Sequence, residues 1–476
     1  MRKNEPALSA AEILKATGGT PLRGGAGWSC RGLSTDTRSL REGNLFIALA
    51  GENFDGHDYL ATAAERGAAG LVIRRDSSEK LNTLTKDLPV IGVPDTLRAL
   101  GDIAHDWRGR FSLPVAAITG SSGKTTTKEM LASISFRSRN VLKTEGNLNN
   151  QIGLPLTLLR LRQKHQLAIV EMGTNSPGEI ARLATIAAPD VGLITNIGPA
   201  HLEGLGSLEA IREEKGDLFR VMAGRGTAVI NHDDRAIGIL AERWQGKRIT
   251  FGLTPGADVA ARRIEKAGPA GVRFQLVIDG IGLPLRLAAP GVHNVANALA
   301  AAAAAWTLSF DRRLIAEGLA AFRPLPGRGE IRPLGNGAFL IMDTYNANPA
   351  SVREALQTMQ ELRRRGAATA ILGDMLELGE RAEELHEEIG TLLTKTGVDA
   401  VFLKGTLTRA TAAAAIRGGL PAERITFFDD PRQVIDRLRL HLKKDDWILI
   451  KGSQKMKMEE VAEALIEAFD LKPQAV

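Results

Sequence analysis

Residues 116–131 read AAITGSSGKTTTKEML. An apolar run, Val115–Thr119, enters a Gly/Ser turn and leaves as a helix-forming stretch. Glycines at 120 and 123 let backbone N–H groups point inward at phosphate oxygens, and a helix N-terminus adds its positive dipole end. Lys124 is placed to reach the β- and γ-phosphates, and Thr125 carries a hydroxyl suited to Mg2+. Gly120, Ser121, Ser122, Gly123, Lys124, Thr125 and Thr126 are therefore the candidate nucleotide-binding residues. The common phosphate loop, G-x-x-x-x-G-K-[ST], would put a glycine at 118, where Ile118 stands. The loop is a variant, T-G-x-x-G-K-T-T.

The same alternation of strand and helix extends outward. Before the loop, residues 1–112 mix short strands and turns. NLFIALAGENFDGHDYL reads as a strand over Leu45–Ala50, a turn and a helix, and GLVIRR and LPVIGVPD read as further strands. After it, NVLKTEG, QLAIVEMG and VGLITNIG are apolar runs of buried parallel-strand type. RPLPGRGEIRPL, 323–334, is rich in Pro, Gly and Arg and reads as a hinge. Beyond it AFLIMDTYNANP, ATAILGDM, DAVFLKG, RITFFDD and DWILIKGS alternate with helices, a Rossmann-like layout. The expected class is α/β in three domains: 1–112, small α/β; 113–325, a central phosphate-loop domain with a parallel sheet; 326–476, Rossmann-like. A chain of 476 residues suits about three cores.

Composition limits function. The formal charge of +6 fits an anionic small molecule, and no Lys/Arg block or aromatic enrichment favours nucleic acid. Cys30 is the only cysteine, so no internal disulfide forms and a reducing compartment is expected. The N-terminal stretch MRKNEPALSAAEIL lacks the apolar segment of a signal peptide. The alanine-rich ANALAAAAAAW, 296–306, is too short to span a bilayer. A cytoplasmic protein is expected, with a monomer as the default.

Strand ends next to a phosphate loop are where Mg2+ is held. Glu171 ends one such strand, and His201 follows another on a loop. Lys215 lies on a helix that Ser207 can cap, with Glu213 and Glu214 before it. Taken by itself, Lys215 reads as one half of a local ion pair.

Together these residues resemble the Mur ligase family. The resemblance rests on TGSSGKTT, EMGTNSPGEI, TNIGPAHLEGLGSLEAIREEKGDLF, HNVANALAA, GRGE, DTYNANP and KGSQKMKME, spread over all three domains. GNLNNQIGLPLTLL and LGDMLELGE point to the member that joins D-alanyl-D-alanine to a UDP-N-acetylmuramoyl-tripeptide. The resemblance implies that ATP phosphorylates the terminal carboxylate and that the dipeptide amine attacks the acyl phosphate. It implies two Mg2+ ions at Thr125, Glu171, His201 and Lys215. It also implies a carbamylated lysine at Lys215, which joins Lys124 and His201 as the residues expected to act in catalysis. Asn297 corresponds to an adenine contact, and Arg328, Asp343 and Tyr345 to nucleotide contacts. The N-terminal domain is expected to hold the UDP end through Ser34, Asp36 and Arg38, with Asn149 and Asn150 at the sugar–diphosphate. Asn346 and Asn348 line the cleft. Lys451 and Ser453, after the strand DWILI, are expected to open onto it beside the nucleotide or D-alanyl-D-alanine.

Three rivals stay open on the sequence. The sister ligase that adds a diamino acid carries an Asp-Asn-Pro-Arg motif; DDPR at 429–432 is read instead as a strand end and helix cap. A folylpolyglutamate synthetase would lack the UDP-type first domain. A regulatory phosphate-loop NTPase would not need Glu171, His201 and Lys215 together. The domains are expected to close about the hinge, with Arg328 and Asp343 far from the phosphate loop in the free protein.

Overall fold

The computed structural model describes residues 6–85 and 87–470. The first five residues of the N-terminal stretch lie outside them. The chain packs as two compact units, residues 1–117, 139–173 and 179–190 in one, and 118–138, 174–178 and 191–476 in the other.

The first unit opens with the strand Ala7–Ser9, paired antiparallel with Ser29–Arg31, and the helix Ala10–Thr17. Its Ser9 and Glu12 form a reciprocal capping box, which satisfies donors that a helix start leaves open. A five-stranded sheet follows in the order Thr20–Arg23, Val90–Val93, Gly70–Arg74, Leu45–Ile47, Leu33–Ser34. All neighbours pair in parallel except the first two. The expected strand Leu45–Ala50 stops at Ile47, and Ala50–Gly51 turns away to pair with Phe54–Asp55. The helix Thr96–Gly109 packs on Gly153–Leu158 and Glu179–Ala187. Arg108 is buried here and donates to the carbonyls of Phe111, Leu113 and Ala187. In the same unit Val141–Lys143 pairs in parallel with Leu167–Glu171, whose next neighbour is Val115–Thr119.

The strand Val115–Thr119 ends in the second unit. There the order continues through Val191–Ile194, Thr227–Asn231, Lys247–Gly252, Val259–Lys266, Val272–Ile278 and Ile281–Leu287. The first of these pairs are parallel and the last three strands antiparallel. The antiparallel ribbon was not legible as such in the sequence. The helix Val292–Thr307 lies on this sheet with Ala298 to Ala305 buried; small side chains allow close approach.

The C-terminal segment holds a six-stranded sheet ordered Glu330–Pro333, Phe339–Asp343, Trp447–Lys451, Ala368–Gly373, Ala400–Lys404, Ile425–Phe427. It is parallel apart from its first strand. Part of the expected hinge is therefore an edge strand. Apolar clusters cover both faces, one around Leu356, Leu372 and Leu449, the other around Ile371, Ile448 and Val461. The chain crosses over at Trp447–Lys451, so Asp343, Gly373 and Lys451 end adjacent strands at a topological switch point, where such sheets bind ligands. DDPR is a cap, as read: Asp430 and Gln433 form a capping box at the helix Pro431–Arg439. Among the described residues no helix is long and apolar enough to cross a membrane.

Candidate active site

The phosphate loop lies in the second unit, pinned by the strand beside it. Ser121 N–H donates to Asn196 O (3.0 Å) and Ser122 N–H to Asn196 Oδ1 (2.9 Å). Thr195 Oγ1 donates to Ser122 O (2.6 Å), and Ser121 Oγ donates to Gly198 O (2.8 Å). Gly123 has φ 75° and caps the helix Lys124–Ser135 with no side-chain hydrogen bond. A Cβ at Gly123 would meet Asn297 Oδ1 at 2.2 Å, and one at Gly120 would meet Thr195 Oγ1 at 1.9 Å. Glycine is required at both places by space and by conformation, since Gly120 too has a positive φ, 146°. The Lys124 ammonium folds back onto Gly120 O at 2.7 Å. Thr126 sits half-buried in the first helical turn. Asn297 is buried rather than turned to solvent, and Thr127 Oγ1 donates to its Oδ1 at 3.4 Å.

The hinge residue Arg328 does not stand away from this loop, as expected of the free protein. It donates from Nη2 to Thr125 Oγ1 at 3.1 Å, and its guanidinium lies 3.8 Å over the Tyr345 ring. Asn348 caps the helix Pro349–Leu362 through Ser351 and also donates to Ser121 O at 3.4 Å. Asn346 is exposed. Lys451 and Ser453 do not open onto the cleft. The Lys451 side chain is 2 % exposed and bonds Asp343 Oδ2 and Asn346 O. Ser453 Oγ accepts from Leu376 N–H at 2.9 Å. The buried Lys451 ammonium is satisfied by the half-buried Asp343 carboxylate on the adjacent strand end, and the sequence does not reveal that partner.

Lys215 departs most from its local reading. Ser207 caps the helix Leu208–Met222, as expected. Yet Glu213 pairs with Arg212, Arg220 and Arg243, and Glu214 accepts from Thr174 Oγ1 (3.0 Å) and Gly178 N–H (2.6 Å). Lys215 faces inward, 1 % exposed. Burial pushes its amine down to about 7, with the Lys124 charge adding to the fall and Glu214 opposing it. His201 has φ 57° and precedes the short helix Leu202–Leu205; its Nδ1 lies 2.7 Å from Glu377 Oε2.

In the first unit Glu171 is buried, and its Oε1 accepts from Asn149 Nδ2 at 2.9 Å. Asn150 closes the turn before the helix Gly153–Leu158: its Oδ1 accepts from Ile152 N–H and Gly153 N–H. Ser34, Asp36 and Arg38 form one polar turn. Ser34 Oγ donates to Asp36 O, and Arg38 grips the Asp36 carboxylate with two nitrogens. That grip holds the Asp36 carboxyl below its ordinary range. The local turn accounts for each of these bonds.

Thr195, Asn196, Thr174, Glu214 and Glu377 were missed as site residues. For Thr195 and Asn196 a signal existed: a polar pair directly after the strand Val191–Ile194, at the sheet edge that carries the phosphate loop.

Three family models match the chain. Residues 29–108 match the Mur ligase family, catalytic domain; 118–305 the Mur ligase middle domain; 327–454 the Mur ligase, glutamate ligase domain. The UDP-N-acetylmuramoyl-tripeptide–D-alanyl-D-alanine ligase of Escherichia coli (strain K12) is 37% identical over 451 residues, covering 93% of this chain and 95% of that one. The crystal structure of MurF from Acinetobacter baumannii superposes with a TM-score of 0.88 at 32% identity, covering 98% of this chain and 100% of that one. MurF ligase from Thermotoga maritima, solved in complex with ADP, gives 0.82 at 30% identity, covering 93% and 98%. With three matching domains in order, a phosphate loop and relatives alike over nearly their whole length, the chain belongs to the Mur ligase family of ATP-dependent ligases.

Proposed function

We propose that the chain adds D-alanyl-D-alanine to UDP-N-acetylmuramoyl-tripeptide, giving ADP, phosphate and the UDP-linked pentapeptide of peptidoglycan synthesis. The observation that carries this reading is likeness over more than nine-tenths of the chain to relatives named for that activity. Domains divide at 112/113 and 325/326, in keeping with the three matched segments. The enzyme works as a monomer in the cytoplasm.

A carboxylate is a poor electrophile, so the reaction first makes a leaving group. A tripeptide carboxylate oxygen bonds to the γ-phosphorus as ADP departs. The dipeptide amine then attacks the carbonyl carbon, loses a proton, and phosphate leaves carrying that oxygen. Lys124 leaves Gly120 O to meet phosphate charge at the start of the helix Lys124–Ser135, whose positive dipole end adds to it. Arg328 brings a second cation, over the ring of Tyr345. Asn297 offers an amide to the adenine from the floor of the loop, and Asp343 and Tyr345 flank the nucleotide.

Mg2+, two ions by family resemblance, would neutralise charge on the transferring phosphoryl group. The Thr125 hydroxyl and the Glu171 carboxylate are oxygen donors of the kind Mg2+ takes, and the His201 imidazole is assigned to the metals by family resemblance. Lys215 fits a carbamylated role. An amine with its value at about 7 is neutral in about half of the molecules at neutral pH, and only the neutral amine adds to CO2. The carbamate would exchange a cation beside Lys124 for an anion suited to the metals. Ser34, Asp36, Arg38, Asn149 and Asn150 are proposed for the UDP-sugar end, and Asn346 and Asn348 for the cleft. Lys451 and Ser453 act through the loops that they hold.

Tripeptide labelled with 18O in its terminal carboxylate tests the route. One 18O should appear in the released phosphate for each turnover; unlabelled phosphate rules out the acyl phosphate.

A further inference from the structure

His201 and Glu377 face each other from separate segments of the second unit, and both have backbone conformations that residues with a Cβ rarely adopt, φ 57° and φ 63°. Strain of this kind persists only where surrounding structure imposes it, and it gathers at functional sites. Here the imposing structure is visible. Asp374 N–H donates to Lys404 O at 3.1 Å, Met375 N–H to His386 Nε2 at 3.0 Å, and Leu376 N–H to Ser453 Oγ at 2.9 Å. Three consecutive N–H groups are thus held by three different elements just before Glu377. On the other side Glu203 N–H donates to Glu377 O at 3.2 Å. Leu202 and Leu205 are buried in the same cluster as Met375 and Leu378.

The loop therefore delivers one carboxylate to one ring nitrogen. We infer that Glu377 is a positioning residue: it holds His201 by Nδ1, so that Nε2 is the nitrogen offered to a divalent cation, and it does so from the C-terminal segment. His201 is then oriented only while that segment is docked, which ties readiness of the metal site to docking. A carboxylate on the far nitrogen of a metal-site histidine fixes its tautomer and ring angle. This inference rests on the reading of His201 as a metal-site residue.

The test uses the full chain with Glu377→Gly, since glycine is at ease at positive φ and removes only the side chain. Two readouts are taken. In metal-free protein, 15N imidazole spectra should show His201 protonated on Nδ1 in the parent and released from that tautomer in the variant, its signal identified by loss in His201→Ala. With a non-hydrolysable ATP analogue bound, Mn2+ affinity by paramagnetic resonance should fall by roughly 10- to 100-fold, while thermal stability is kept. An unchanged His201 tautomer in Glu377→Gly overturns the inference. Undiminished Mn2+ affinity in His201→Ala is a different result: it overturns the metal reading beneath it.

Discussion

Arg328 stacks its guanidinium 3.8 Å above the ring of Tyr345. Its Nη2 meets Thr125 Oγ1 at 3.1 Å. A hinge arginine is thereby set at the phosphate loop. Arg328→Ala should weaken ATP-analogue binding by about tenfold, about 1.4 kcal/mol. Arg328→Lys should recover less than half of this, because an ammonium lacks the flat fork that stacks and bonds together. Titration with a fluorescent nucleotide measures both, and unchanged affinity in Arg328→Ala contradicts the assignment.

Lys215→Ala should abolish ligase activity, and added bicarbonate or short carboxylic acids should restore part of it by filling the space of the missing carbamate. Phosphate release with and without these additives is the measurement. Full activity in Lys215→Ala means that the buried amine serves the fold and not the chemistry.

Burial of that amine also makes a pH prediction. Its value in the folded chain, about 7, lies below the ordinary 10.5. Between those values the unfolded chain keeps a proton that the folded chain has released, so this residue's contribution to stability rises with pH through that window and is most unfavourable below 7. In carbonate-free buffer, Lys215→Met should melt higher than the parent at pH 7, by a few kcal/mol at about 1.4 kcal/mol per unit. The advantage should shrink as pH approaches 10. An advantage independent of pH would mean that packing, not charge, sets it.

Lys451→Met should be felt in folding before it is felt in substrate affinity. It strips the partner from Asp343, and leaving that half-buried carboxylate without its charged hydrogen bond costs about 1–3 kcal/mol. The melting temperature should fall clearly, and Asp343→Asn in the same chain should return part of the loss. A normal melting curve with a raised KM for D-alanyl-D-alanine would favour direct substrate contact instead.

The sequence was most legible where one segment carries its own pattern. The strand, Gly/Ser turn and helix of 115–135 came out as read, as did the Ser207 cap and the Asp430 cap. Lys215 shows what was overlooked. Ile211, Leu218, Phe219 and Met222 form a helical stripe, and Lys215 lies on it at i+4 from Ile211; that spacing already placed the lysine in the core. Partners distant in sequence were out of reach. Nothing near Lys451 announces Asp343, 108 residues away, and nothing near His201 announces Glu377, 176 residues away. The left-handed backbone of Glu377 has no local mark, because glutamate is not a residue that usually adopts it.

Phosphate release with defined pairs of substrates tests the central claim most directly. ATP and UDP-N-acetylmuramoyl-tripeptide should give steady release only when D-alanyl-D-alanine is added, with the pentapeptide as the product by mass. Release with a free diamino acid on the UDP-dipeptide, and none with D-alanyl-D-alanine on the UDP-tripeptide, would contradict it.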